Sequence, residues 1–515
     1  MRLNREILRL ASPSILANIT VPLVGMVDIA VVGHLPGSGA AALIGGISVG
    51  TMLFDLLYWN FAFLRVGTGG LTAQAYGRQM ADLAGHDGCE VGHDGREVMP
   101  GRAPAEIGGI LGRALRIALL SGLALIALQW LVVRLAFLVV DCSPEVRELA
   151  TRYFYIRIWA APATLSLFAF KGWFIGLQDT LRPMLTDLWV NLCNILLSIG
   201  LGFGLTVGAG AGAVAGAGAG VTLLPQLGFA GVAWGTVIAQ WTGLALALLM
   251  IRKYLPVSTF LKVLVRKTNE DFQQTTQHQT LINQSQKEPR AFFTLNRDLF
   301  LRSVGMIAVY VGFTMLSARL GDLMLAVSTI LMKLLMLFSY FTDGFAYAGE
   351  ALTGRFIGER SQEGVRSAVR GTFAWSFGLA GFFILLYGLG GTPLFRMMTS
   401  DNAVVEAGRL FIPWLLLMPL IGCPAFAWDG IFIGATASKD LRNSTLLCAV
   451  GFFAVWFAGR WLAEAFHPGS TGGLQAETGL HLLMAAYFTH LAIRTLYLTV
   501  RYRPAVLRPH FSPDS

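Results

Sequence analysis

One carboxyl inside an apolar run is the group in this chain best placed to do chemistry. Asp28 stands in Val21-Pro-Leu-Val-Gly-Met-Val-Asp-Ile-Ala-Val-Val-Gly, with no basic residue near it in sequence. Apolar surroundings disfavour the ionised carboxylate, so such a group can take up and release a proton near neutral pH. Pro13 and Pro22 interrupt the same segment, and each removes a backbone hydrogen bond and invites a kink. A bend beside a titrating carboxyl would turn protonation into a change of shape. A second set, Asp187, Asn191, Asn194 and Ser198, is spaced four, three and four apart and so shares one helix face. Such a polar stripe should face a cavity or another helix, either holding an ion or acting as amide glue. Lys171 closes the preceding apolar run, in Phe168-Ala-Phe-Lys-Gly-Trp. It either snorkels to the interface or pairs with Asp28 and holds that carboxyl ionised. Further along, Lys333, Tyr340, Asp343, Tyr347 and Glu350 share a broad helix face, and Asp429 follows Trp428. These form either a second ion or substrate site or a satisfied internal network.

The elements that must position these groups are membrane helices. Of 515 residues, 55% are hydrophobic and 13% charged, against roughly 25% charged in soluble domains. A chain so poor in charge cannot coat a globular surface, which excludes a soluble enzyme, a disordered protein and a disulfide-stapled secreted domain. Twelve apolar segments separate, at 10–34, 42–67, 108–140, 150–176, 184–207, 227–251, 299–319, 323–349, 368–391, 404–433, 443–466 and 480–500. None alternates in polarity as a barrel strand would, so they are helices, each needing about 20 residues to cross. Loops rich in Arg and Lys (Arg2, Arg5, Arg9, Arg78, Arg182, Lys253, Arg355, Lys439, Arg501) alternate with loops that hold few, such as Arg147 and Arg396. This asymmetry puts both termini in the cytoplasm and accounts for the net charge of +9 without nucleic-acid binding. The start of the chain carries no cleavage site of a removable signal peptide.

Between the segments lie a polar insertion at 80–105, a Gly/Ala-rich external loop at 208–220 and a polar linker at 252–298. The linker divides an N-terminal six-helix lobe, 1–251, from a C-terminal one, 299–503, with a cytoplasmic tail at 504–515. His86, Cys89 and His93 in the insertion have metal-binding side chains, but a polar cytoplasmic insertion is the preferred reading and no metal is expected. The five cysteines make no Cys-x-x-Cys pair, so neither a disulfide framework nor a zinc site is indicated. No P-loop, Gly-x-Ser-x-Gly, His-Glu-x-x-His or dinucleotide fingerprint is present, so an enzyme is not expected. No cofactor is expected either, and the energy must come from an ion gradient or a partner.

The halves repeat. Asn4-Arg-Glu-Ile-Leu is similar to Asn296-Arg-Asp-Leu-Phe; Leu71-Thr72 and Gly77 to Leu352-Thr353 and Gly358; Phe174-Ile-Gly to Phe432-Ile-Gly. Both copies start on the same side of the membrane, so they are parallel repeats about an axis along its normal.

The segment Leu10-Ala-Ser-Pro-Ser-Ile-Leu-Ala-Asn-Ile-Thr-Val-Pro-Leu-Val-Gly-Met-Val-Asp-Ile-Ala-Val-Val-Gly-His resembles helix 1 of multidrug and toxic compound extrusion (MATE) transporters of the DinF-like branch. Phe63-Leu-Arg-Val-Gly-Thr-Gly-Gly-Leu-Thr, Ser339-Tyr-Phe-Thr-Asp-Gly-Phe-Ala-Tyr-Ala-Gly-Glu and Trp428-Asp-Gly-Ile-Phe-Ile-Gly resemble further family segments, and the likeness runs from about 5 to 503. The resemblance implies an all-α polytopic membrane protein: two pseudo-symmetric six-helix lobes in a V, exporting compounds against protons or sodium. It implies that Asp28 is the coupling carboxyl, and that Asn194 and Thr236 match family positions in helices 5 and 6. Two positions depart. Ser198 stands where some members have Asp, and Lys171 where many have Asn. Both changes weaken a set of oxygen ligands for a hard cation, which favours protons over sodium.

The reading is a secondary active exporter of amphipathic or cationic compounds, monomeric, in a bacterial cytoplasmic membrane. The rivals are a flippase for lipids or lipid-linked oligosaccharides, which a strongly cationic cavity would favour, and a non-transporting accessory membrane protein.

Overall fold

The computed structural model describes residues 2–35, 40–85, 103–138, 140, 142–207, 221–254, 279–399, 402–466 and 475–511. Twelve candidate membrane spans lie among them, as the hydropathy pattern predicts. The first half contains α1 (Arg2–Gly33), α2 (Ala40–Trp59), α3 (Phe63–Gly85), α4 (Ala103–Ala127), α5 (Gln129–Ala136), α6 (Pro144–Arg157), α7 (Ala161–Gly176), α8 (Leu181–Phe203) and α9 (Phe229–Met250). The second contains α10 (Gln279–Ala318), α11 (Asp322–Gly358), α12 (Gln362–Met398), α13 (Asn402–Arg409), α14 (Ile412–Gly434), α15 (Ser438–Phe466), α16 (Ala476–Tyr502) and α17 (Arg508–Phe511). A turn at 60–62 joins α2 to α3 in one span, and a single 3-10 turn joins α6 to α7 in another. Large apolar side chains cover the outside, with Leu389 86% and Leu138 80% exposed. That surface suits hydrocarbon and not water.

Helix ends follow their residues. Ser143 caps α6 and Ser361 caps α12, each accepting a backbone N–H of the first turn, with Pro144 pre-set at the first helical position. The repeat is visible at two ends. After Phe174-Ile-Gly and after Phe432-Ile-Gly the chain closes through a non-glycine residue at positive φ, Gln178 (59°) and Thr436 (54°). The N–H of Asp179 returns to the Phe174 carbonyl, and that of Ala437 to the Phe432 carbonyl.

Two apolar cores lie within the first half, around Phe54, Tyr153 and Phe154 and around Phe170 and Trp173. The largest lies within the second, around Phe338, Phe383, Tyr387 and Phe411. Two smaller clusters mix the halves, one joining Ile7, Leu10 and Ile175 to Phe345 and Leu352. The halves cross where α3 meets α11. A Cβ on Gly77 would strike the Arg355 backbone, and one on Gly358 the Gln74 backbone. Gly77 matches Gly358 in the repeat, and Gln74 matches Arg355, so the contact is reciprocal, as at a two-fold interface. Side chains repeat the symmetry. Gln74 donates to the Gly434 carbonyl (3.0 Å) and Thr436 Oγ1 (3.3 Å), while Arg355 donates to Gln178 Oε1 (3.1 Å).

Three segments differ from the sequence reading. The linker read at 252–298 is helical from Gln279, because its Gln, Lys and Glu residues favour helix once α10 is nucleated downstream. The tail read from 504 is packed: Ala505, Val506 and Leu507 are buried in one of the clusters that mix the halves. Leu205–Val207 and Val221–Leu224 pair as antiparallel strands flanking the Gly/Ala-rich loop. That loop, 208–220, and the centre of the polar insertion with His86, Cys89 and His93 lie outside the described residues.

Candidate functional site

Small residues bring three helices of the first half together. A Cβ at Gly235 would press on the Ser198 backbone and hydroxyl, and one at Gly231 on the Leu201 carbonyl, so glycine lets α9 lie against α8. A Cβ at Gly202 would meet Val31, on α1. The polar stripe of α8 therefore faces helices, and every member has a partner. Ser198 Oγ donates to Asp28 Oδ1 (2.8 Å), and Asn194 Nδ2 to Thr236 Oγ1 (2.8 Å). Asn191 Nδ2 donates to Thr20 Oγ1 (2.6 Å), and Asp187 accepts from Lys171 Nζ (2.7 Å). Asp28, Asn194, Ser198 and Thr236 are all buried, and Thr236 donates onward to the Val232 carbonyl (3.3 Å).

The hydroxyl of Ser198 has a single proton to give. Beside an ionised Asp28 it donates to the carboxylate. Beside a protonated Asp28 it can accept from the acid and turn its own proton to Asn194 Oδ1, 3.5 Å away. The cluster thus satisfies either protonation state with the same atoms. Pro13 and Pro22 both lie inside the continuous helix α1, on the approach to Asp28.

Lys171 does not pair with Asp28. Asp187, on the adjacent α8, takes its ammonium, and Ser198 occupies the Asp28 carboxyl. In the second half, Asp343, Tyr347, Glu350 and Asp429 line a cavity of about 420 Å³. Lys333 and Tyr340 do not line it; Lys333 is exposed and lies ten residues, about 15 Å of helix, from Asp343. The cavity also holds three arginines. Arg65, from the first half, contacts Glu350 (3.1 Å) and lies over the Tyr347 ring. Arg302 and Arg494 both contact Asp429, with Arg494 Nε 3.0 Å from Oδ1. Asp343 has no hydrogen bond among the described residues. Among those residues no group of His, Cys, Asp and Glu is placed to hold a metal.

A sequence profile of the MatE family matches residues 13–87, 101–200 and 299–456. The chain belongs to the MatE family. It is 30% identical to the DNA damage-inducible protein F of Escherichia coli, over 97% of this chain and 92% of that protein. It is 23% identical to the chloroplastic Protein DETOXIFICATION 44 of Arabidopsis thaliana, over 94% of this chain and 80% of that one. Among solved structures, a MATE protein in the bent conformation superposes with a TM-score of 0.71 at 16% identity, covering 98% of this chain and 97% of that one. A Pyrococcus furiosus transporter of the MOP superfamily, described as having reversed polarity of its binding pocket, superposes with a TM-score of 0.63 at 18% identity, covering 97% of this chain and 96% of that one. The fold is therefore the all-α MATE fold, and this MatE protein is a multi-pass membrane transporter.

Sequence reasoning missed five charged residues of this MatE chain: Asp55, Arg65, Arg157, Arg302 and Arg494. Each stands inside or at the edge of an apolar segment, which by itself marks an ionisable group as functional or paired. For Arg65, Arg302 and Arg494 the partners, Glu350 and Asp429, come from remote segments that periodicity along one helix does not reveal.

Proposed function

We propose that this transporter exports amphipathic or cationic compounds in exchange for protons, with Asp28 as the group that carries the proton. The observation behind this reading is the buried cluster of Asp28, Ser198, Asn194 and Thr236, whose hydroxyl serves the carboxyl with or without its proton. Coupling through a proton is preferred to sodium, because a hard cation needs several oxygens at once and Ser198 offers a hydroxyl where a carboxylate would bind it. Loss of the charge on Asp28 would change the packing of α1 beside Pro22, opening the compound's route outward. Both termini lie in the cytoplasm, the membrane is a bacterial cytoplasmic one, and the protein acts as a monomer. The reversed binding-pocket polarity ascribed to the Pyrococcus transporter and the three arginines of the second cavity favour one rival, a flippase for anionic lipid-linked substrates. Against it, Glu350 and Asp429 match those guanidinium groups and Asp343 adds a further acid, so the cavity carries no excess of positive charge.

The test is uptake of a fluorescent cationic dye into inverted vesicles under an imposed pH or sodium gradient. Uptake driven by the pH gradient and abolished by Asp28→Asn at equal protein level supports the reading. Uptake driven by sodium alone overturns proton coupling, and no uptake under either gradient turns attention to lipid-linked substrates.

A further inference from the structure

The cavity of the second half distributes its charge unevenly. Arg65 and Glu350 neutralise each other. Asp429 meets two guanidinium groups, those of Arg302 and Arg494, so that cluster keeps one positive charge. Asp343 lines the same cavity, yet no guanidinium reaches it; among the described residues it has neither hydrogen bond nor ion pair. A positive and a negative pole thus stand apart in a space of about 420 Å³. His490, which also lines it, donates from Nδ1 to the Tyr487 carbonyl (2.6 Å). An imidazole is mostly uncharged at neutral pH, so it does not alter this balance.

Helix packing fixes both poles. Asp343, Tyr347 and Glu350 are spaced four and three apart, on one face of α11. A Cβ at Gly430 would strike the Ala346 carbonyl, so glycine lets α14 lie on α11 and seats Asp429 beside it. Arg302 arrives from α10 and Arg494 from α16. The walls are aromatic and thioether. Trp59, from the first half, stands edge-on to Tyr310 with ring centres 5.1 Å apart, and Met306, Met336 and Phe426 line the cavity with them. Such walls suit a flat aromatic body, and methionine adapts to its outline.

We propose that this cavity binds the exported compound and selects zwitterions: a flat aromatic body whose cationic group meets Asp343 and whose carboxylate meets the surplus guanidinium at Arg302 and Arg494. The inference rests on the exporter reading and narrows its amphipathic compounds to those carrying both charges. Charged groups in an apolar interior are costly unless paired. Here Asp343 is unpaired, and Arg302 Nε is buried with no hydrogen-bond partner. A plain organic cation would serve Asp343 but leave the cavity with a net positive charge. A plain anion would serve the guanidinium and leave it negative. A zwitterion pairs both poles and adds no net charge, so the cavity discriminates by what each wrong ligand leaves unpaired.

The experiment compares two dyes that differ in one charge. One is the unalkylated rhodamine with two primary amino groups and a free carboxylate; the other is its methyl ester, a plain cation. Each is bound to the purified full-length protein in lipid nanodiscs and followed by fluorescence polarisation, with empty nanodiscs as the blank. Wild type should bind the acid about tenfold tighter than the ester, the worth of one hydrogen bond to a charged group. Arg302→Gln leaves Asp429 paired with Arg494 but removes the surplus positive charge. The acid should then weaken about tenfold while the ester tightens. Asp343→Asn should act the other way, weakening the ester more than the acid. A wild type that binds the ester as tightly as the acid, or binds neither dye, overturns the proposal. So does an Arg302→Gln variant that weakens both dyes alike, which is what a merely structural arginine would give. If Arg302→Gln is not recovered as a monodisperse protein, the two dyes on wild type and on Asp343→Asn decide alone. Uptake into inverted vesicles separates this inference from the exporter reading. If the ester is taken up while the acid is neither bound nor moved, export stands and selection of zwitterions falls. If neither dye moves under a pH or a sodium gradient, the exporter reading fails and the substrate claim falls with it.

Discussion

Among the described residues Asp28 receives one donor, the Ser198 hydroxyl, and that bond carries a test. Ser198→Ala removes a stabiliser of the charged form, a hydrogen bond to an ion of about 1.5–3 kcal/mol. The pH at which transport is half-maximal should therefore move alkaline by about one unit, read from dye uptake at a series of imposed pH values. Lys171 and Asp187 make a second test. Either single alanine leaves a lone charge in the membrane, and thermal unfolding in detergent should fall by about 3 kcal/mol. The double alanine should recover most of that loss; equal loss in all three variants would remove the pair from the stability account. Asp28 was legible in the sequence as a lone carboxyl in an apolar run, and Asn194 and Ser198 as members of a polar stripe at helical spacing. The partner of Lys171 was not, since Asp28 and Asp187 are equally acidic and only the packing of α7 on α8 chooses between them. Arg302 and Arg494 were hidden for the same reason: they converge on Asp429 from α10 and α16.

At the scale of elements, glycine sets how closely helices approach. A side chain at Gly77 would enter the Arg355 backbone, whereas nothing lies within 4 Å of the Cβ position at Gly25. Gly77→Ala should destabilise by about 1–3 kcal/mol through overpacking. Gly25→Ala should be neutral or gain about 0.5–1 kcal/mol from helix propensity. Melting temperatures of the two purified variants check the contrast, and equal melting would mean the crossing tolerates a methyl. Hydropathy placed all twelve spans, since each is long and nearly free of charge. It did not place the turn at 60–62 or the strands at Leu205–Val207 and Val221–Leu224, which are too short to leave a periodic trace. It also read 279–298 as linker, because a polar helix that extends a membrane helix has no apolar stripe to betray it.

At the scale of the molecule, the reciprocal crossing of α3 and α11 ties the halves together at one level. Gln74 and Thr436 are close enough to hydrogen-bond across it. Cysteines at these two positions should cross-link under mild oxidation, and if the halves part there during transport, dye uptake should stop and return on reduction. Cross-linking with uptake unchanged would show that this level stays closed throughout. The strand pair beyond α8 has a practical consequence of another kind. Val207 and Val221 are register partners, so the two ends of the segment between them stand side by side, and each doubling of the length between them costs only about 0.6 kcal/mol of closure entropy. That makes 208–220 a natural port for grafting a rigid reporter domain, giving a small membrane protein a visible handle for single-particle imaging without touching a helix.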